Sequence, residues 1–166
     1  MEDDSLRKFE KVSREVFERD IPLGNYEELI LPKRSTRRSA GYDFVSPISF
    51  VLKEGESIVI PTGIKVIMEE DEYLAIYIRS SLGFKYNLRM CNQVGIIDSD
   101  YYNNEENEGH IFVKIKNEGD KEVSINKGDR IVQGIFMKYL LTDDDMATGM
   151  RLGGIGSTNK GDDNNE

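Results

Sequence analysis

The sequence predicts an all-β domain, a sandwich or barrel, on three observations. Short apolar runs recur after Pro22 and Gly24, among them "SIVIPTG", "YLAIYIR", "IFVKIK" and "RIVQGIFMKYL", and they carry the two-residue alternation of half-buried strands. Turn-forming stretches separate them closely: "KEGES", "PTG", "NEGDKE" and "NKGDR". Beyond residue 20 no segment has the length and period of a helix able to return the chain between parallel strands.

Each element follows from its own pattern. Leu6, Phe9, Val12, Val16 and Phe17 recur at helical spacing between charged residues, so residues 5–19 are expected to form a short amphipathic helix docked on the body. In Tyr73–Arg79, Leu74, Ile76 and Ile78 share one strand face, while Tyr73, Ala75, Tyr77 and Arg79 share the other. One face is core and the other is available. The closing stretch "GSTNKGDDNNE" is polar and aperiodic, which predicts a tail that stays mobile until something binds. The expected division is a helical extension over 1–25, a β domain over 26–148 and a tail over 149–166. No internal repeat is visible.

Composition narrows the function. A chain of 166 residues with 38% hydrophobic content suits one domain with a modest core. No run of about 18 apolar residues occurs, and "MEDDSLRKFE" is too charged for a secretory leader. A soluble, cytoplasmic protein is expected, away from membranes. Cys91 is the single cysteine, so neither an internal disulfide nor a cysteine metal cluster can form. A net charge of −9 repels polyanions and argues against nucleic-acid partners. A phosphorylated substrate would need local arginines or a cation.

Several short stretches carry chemistry. In "NQVGIIDSDY" an apolar run ends on Asp98 and Asp100, which either form a turn at a strand end or serve a reaction. The longer "DSDYYNNEENEG" is no EF-hand loop, because Asn103 and Gly109 stand where that loop needs Gly and Glu. In "IRSSLGF" a strand delivers Arg79 into Ser80, Ser81 and Gly83; the group reads as a solvated turn or as an anion cradle. "MRLGGIGSTNK" joins Arg151 to a Gly-rich run with Ser157 and Thr158, and it reads as a flexible linker or as phosphate-binding groups on a segment able to fold over a ligand. Its lysine is misplaced for a P-loop. "SAGYDF" and "KGDRIVQG" set Asp43 beside Gly41 and Gln133 inside a strand start. His110 is the single histidine, so Ser-His-Asp chemistry would depend on it alone, and an aspartate base is the better candidate.

In this order "AGYDF", "RSSLG", "NQVGIIDSDY", "GDRIVQG" and "GGIGST" resemble the five motifs of the trimeric dUTP diphosphatases, over roughly residues 30–158. The resemblance implies a jelly-roll-like β barrel, and a homotrimer whose sites take motifs one, two and four from one chain, motif three from a second and motif five from a third. The tail would then close over a neighbour's substrate. Asp98 matches the carboxylate that activates water for attack on the α-phosphorus of dUTP, releasing dUMP and pyrophosphate. Carboxylates are ionised at neutral pH, so no histidine is needed. Tyr101 matches the aromatic that packs on deoxyribose and rejects a 2′-hydroxyl. Asn92 and the backbone of Gly95, Ile96, Ile97 and Asp98 match the part that pairs with uracil, where cytosine would leave buried groups unpaired. Arg79, Ser80, Ser81 and Gln133 match phosphate-binding positions; Arg151, Ile155, Gly156, Ser157 and Thr158 match the closing tail. Asp43 matches an acid that holds Mg²⁺ through water. Asp100 has no matching role and is expected to shape the hairpin.

Three departures stand out. Ile155 replaces the usual Phe, so stacking over the uracil ring is lost. Only Leu152 separates Arg151 from Gly153, where many members have two residues, which changes the reach to the γ-phosphate. "YYNNEENEGHI" is longer than the usual hairpin return, and its acids are expected to project into solvent or to narrow the site entrance. The related dCTP deaminases place a Glu on the next strand, where this chain has Lys114 in "IFVKIKN", which disfavours deamination. Some relatives also act as regulatory binding modules, a role that would use residues 1–25 and 102–109.

Overall fold

A computed structural model describes residues 6–156. Twelve strands run β1 (Lys8–Lys11), β2 (Lys33–Arg34), β3 (Tyr42–Val45), β4 (Phe50–Leu52), β5 (Ser57–Pro61), β6 (Ile64–Ile67), β7 (Glu72–Ile78), β8 (Leu88–Met90), β9 (Gly95–Asp98), β10 (Phe112–Asn117), β11 (Val123–Ile125) and β12 (Arg130–Lys138). Two short helices, α1 (Arg14–Asp20) and α2 (Ser80–Tyr86), complete them with two 3₁₀ turns. Every strand pairing is antiparallel, as closely spaced turns require.

The main sheet has the order β2-β3-β12-β7-β9; β5-β10-β8, β11-β4 and β1-β6 form smaller ones. This is the expected all-β architecture, but among the described residues the strands do not close into a barrel. Edge strands such as β2 and β4, of two and three residues, are too brief to carry a hydrogen-bonded ring around. No helix among the described residues is long and apolar enough to cross a membrane.

The N-terminal helix is shorter than its apolar spacing predicts. Residues 8–11 form β1, which pairs with β6 so that Phe9 lies opposite Val66, and Leu6 is 49% exposed. The helix begins only after Ser13, whose hydroxyl accepts a hydrogen bond from the Val16 amide at 3.3 Å. An available strand edge outweighs a weak helical period, and serine at a helix start fixes the boundary. Phe9 thereby joins Tyr42, Phe44 and Phe136 in an aromatic cluster with ring separations of 5.3–5.5 Å. Such contacts add to the area they bury. Phe17, Ile60, Leu74, Ile76, Ile111 and Ile131 lie in the same buried core.

Helix α2 was not legible in "RSSLGF". Gly83 lies inside it, and Arg79 at its start makes no side-chain cap, so neither propensity nor capping announces it. Asn87, in the left-handed region at φ 53°, ends it. The helix is too short for a crossover, so the antiparallel topology is unaffected.

Candidate active site

Strand β7 has a cluster of chemistry at each end. At its C-terminal end the β3-β12-β7 ladder sets Asp43 opposite Gln133, and Gln133 opposite Tyr77. Arg79 follows β7 directly, and its amide donates to the Ile131 carbonyl at 3.1 Å. Its guanidinium lies 3.4 Å from the Asp43 carboxylate, and that of Arg130 lies 3.5 Å away. Ser35 donates to Asp43 at 2.6 Å and accepts from Arg130 at 2.9 Å. A methyl group at Gly41 would sit 2.3 Å from the Gln133 amide oxygen, so glycine is what lets this glutamine lie beside Asp43. A cavity of about 480 Å³ opens here, lined by Arg79, Ser81, Tyr86, Ser124 and Arg130 among others. Two guanidinium groups and a serine around one carboxylate suit an anion with several oxygens. Ser80 is exposed and stands outside the residues that line this cavity. Sequence reasoning passed over Arg130 and Ser35; an arginine opening a strand inside "GDRIVQG" was the available signal.

The other end of β7 carries the hairpin. Strand β9 pairs there with Tyr73 opposite Asp98 and Ile76 opposite Gly95, then enters a 3₁₀ turn over Ser99–Tyr101. A second cavity, about 280 Å³, is lined by Asn92, Gly95, Asp98, Tyr101, Arg151 and Ile155 among others, with Ile96, Ile97 and Gly156 on its wall. Arg151 is 10% exposed at its side chain and forks between the two acids, Nε to Asp100 and a terminal nitrogen to Asp98, each at 2.7 Å. The two carboxylates are 53% and 58% exposed, so each contact is worth about 1 kcal/mol or less. Asp100 therefore does more than shape the turn: it holds the tail arginine beside Asp98. The same guanidinium lies 5.8 Å from the centre of the Tyr101 ring.

Within one chain the tail lies against its own hairpin, where Arg151 reaches Asp98 and Asp100. Ser157 and Thr158 lie outside the described residues. In the insert after Tyr101, Glu105 and Glu106 are exposed as expected, but the half-buried Glu108 accepts from the Ser13 amide and hydroxyl and pairs with Lys65 at 2.8 Å. Glu106 accepts the Gly154 amide. These acids fasten the N-terminal segment and the tail to the hairpin. No spacing rule signals such long-range partners.

His110 is structural. It is fully buried, its Nε2 accepts the Gly63 amide at 2.8 Å, and its Nδ1 lies 2.7 Å from Asp20. That leaves no lone pair to activate a serine. Burial pushes its pKa down, against the opposing pull of Asp20. Burial likewise pushes the Tyr101 phenol up.

Among the described residues no three His, Cys, Asp or Glu side chains converge on a metal position. Asp43 is a single carboxylate facing Arg79, Ser35 and Arg130. One carboxylate whose charge is already matched by two guanidinium groups makes no all-protein metal cage; an ion here would take its ligands from water and substrate phosphates, with Asp43 acting through water at most.

Within one chain the two clusters do not meet. Tyr73, opposite Asp98, and Arg79 are six residues apart in β7 and its exit, or roughly 20 Å of extended chain.

Comparison with known proteins places this arrangement in a family. The dUTPase family model matches residues 27–159. The deoxyuridine 5′-triphosphate nucleotidohydrolase of Lactococcus lactis is 48% identical over 130 residues, covering 77% of this chain and 87% of the relative. The crystal structure of the Streptococcus mutans dUTPase superposes with a TM-score of 0.69 at 41% identity, over 82% of this chain and 98% of that one. A mutant dUTPase from phage phi11 of S. aureus, whose structure reveals the coordination of a structural Mg(II) ion, shares the fold at a TM-score of 0.64 and 20% identity, over 87% of this chain and 97% of that one. Family model, relatives and fold agree: the chain belongs to the dUTPase family and is a nucleotide hydrolase that acts on dUTP.

Proposed function

We propose that Asp98 is the general base and that each complete site is assembled from several copies of the chain in a homotrimer. The observation that carries this reading is the split of the motifs: Asp98 and Tyr101 stand at one end of β7, and Asp43, Arg79 and Gln133 at the other. A base and a phosphate cradle separated by roughly 20 Å along a strand cannot serve one α-phosphorus, whereas a hairpin brought by a second copy can face the first copy's cradle.

In this mechanism Asp98 takes a proton from water. The water oxygen forms a bond to the α-phosphorus as the bond to the bridging oxygen of the β-phosphate breaks, giving dUMP and pyrophosphate. Arg79, Arg130, Ser81 and Gln133 bind and orient the phosphates, so the developing charge meets fixed donors. Strand β9 is the edge of its sheet, so one side of its backbone is left to pair with the polar edge of uracil, beside Asn92. Tyr101 packs against the deoxyribose.

The fork of Arg151 on Asp98 and Asp100 is the resting arrangement. Substrate phosphates draw Arg151 away and free the base, with Ile155, Gly156, Ser157 and Thr158 following in the tail over 149–166. Mg²⁺, held through water by Asp43, would neutralise phosphate charge that a chain of net charge −9 otherwise repels. A cytoplasmic setting fits the single thiol, Cys91. A further regulatory contact at 1–25 and 102–109 has less support, since Glu106 and Glu108 are already bonded within the chain.

The test is pyrophosphate release from dUTP with Mg²⁺. Asp98→Asn is expected to lose about 10²–10⁴-fold in turnover with the fold intact; near-normal turnover would refute the assignment.

A further inference from the structure

The insert Asn103–Glu108 grips Tyr101 by its far end. The Tyr101 hydroxyl donates to the His110 carbonyl at 2.6 Å and accepts from Asn107 Nδ2 at 2.8 Å. Asn107 is itself fixed: its Oδ1 accepts from Asn104 Nδ2 at 2.7 Å and from the Gly109 amide at 3.1 Å. Asn104 is buried; it also donates to the Tyr101 carbonyl at 2.8 Å, and its Oδ1 accepts the Glu106 and Asn107 amides at 3.1 Å. The carbonyl that receives the Tyr101 proton belongs to His110, whose ring is pinned between Asp20 and Gly63. Tyr101, 6% exposed, is thus clamped at its backbone and at its hydroxyl, and it lines the cavity beside Asp98.

Asn107 has a second neighbour. A methyl group at Gly154 would lie 2.7 Å from Asn107 Nδ2, so the tail passes directly over the amide that holds Tyr101.

Resting on the proposed reading of Tyr101 as the sugar-packing ring, we infer that Asn107 is a specificity-determining positioning residue: it fixes the Tyr101 ring and thereby sets discrimination against a 2′-hydroxyl. A phenol held at both ends cannot tilt to admit an extra oxygen, whereas a ring anchored by the backbone and one carbonyl can. Loss of one well-made hydrogen bond corresponds to about a five- to tenfold change, and sub-ångström shifts of a packing surface are felt at the reacting atoms.

The experiment measures kcat/KM for dUTP and for UTP in the full-length chain and in Asn107→Ala, Tyr101→Phe and the double variant, with thermal melting of each. Asn107→Ala is expected to lower the dUTP-to-UTP preference about five- to tenfold. Tyr101→Phe, which also gives up the bond to the His110 carbonyl, is expected to lower it at least as much, and the double variant to add nothing to Tyr101→Phe, where the Asn107 bond is already lost. An unchanged preference in folded Asn107→Ala overturns the inference, as does full additivity with Tyr101→Phe. If Asn107→Ala does not fold, Tyr101→Phe decides alone, and an unchanged preference there overturns it. A wild-type chain that discriminates normally while both variants do so too would sink this inference and leave the dUTP reading standing; a wild-type chain that releases no pyrophosphate from dUTP would sink both.

Discussion

The phosphate end of β7 and its hairpin end are held in place by different means. Asp43 and Gln133 stand on adjacent strands of one ladder, and Arg79 is tied to β12 through its amide. Their positions follow from backbone register. Asp98 ends the pairing of edge strand β9 with β7 and Tyr101 lies in the turn beyond it, and what holds the side chains and the turn is a set of side-chain bonds from the insert, the tail and the N-terminal segment. A ladder tolerates substitution of its side chains without moving, while a side-chain network shifts whenever a member is lost. Phosphate binding should therefore be robust in geometry, and base and sugar recognition tunable.

The sharpest break of this contrast comes from removing one group at each end. Asp98→Asn should lower turnover about 10²–10⁴-fold. Arg79→Ala should lower kcat/KM about 10–100-fold, mainly through KM, as a charge-assisted phosphate contact is lost. If Arg79→Ala left KM unchanged, the cradle would be misassigned. Gly41→Ala tests the ladder directly: the added methyl displaces the end of Gln133, so steady-state kinetics should show a weaker KM while melting shows a loss of about 1–2 kcal/mol. An unaffected KM would mean that Gln133 does not need its seat.

The hairpin end should also be the more sensitive to acid. His110 has its pKa lowered by burial, so the unfolded chain binds the proton better. The stabilisation is complete above the unfolded value near 6.5 and is lost as pH falls below it. Melting temperature should drop between pH 7 and pH 5, and His110→Asn, though less stable, should drop less over that interval. The smallest effect belongs to Glu106→Gln, which keeps an acceptor for the Gly154 amide; about a twofold change in KM is expected, and a change of tenfold or more would show that its charge, not its geometry, seats the tail.

The alternation in Tyr73–Arg79 and the turn stretches made the antiparallel β fold legible, because they report face and reversal locally. The helix over 5–19 misled because Phe9 and Val12 satisfy a helical period as easily as a strand followed by a turn, and only the edge of β6 decides between them. Motif order made the site residues legible, but not their separation: register places Asp98 at one end of β7 and Arg79 after the other, and nothing local encodes it. The bonds of Glu106, Asn107 and Glu108 reach Gly154, Tyr101 and Ser13, partners that a polar loop does not announce in sequence.

The central claim is that one site draws on more than one chain. Co-expression of two differently tagged impaired variants, Asp98→Asn and Arg79→Ala, followed by isolation of mixed oligomers and assay at dUTP well below the KM of Arg79→Ala, tests it directly. Shared sites predict that the mixed oligomers regain about a third of wild-type pyrophosphate release, since in a trimer holding both variants one site of the three joins an intact hairpin to an intact cradle. Mixed oligomers no more active than either parent would contradict the account and place the whole site within a single chain.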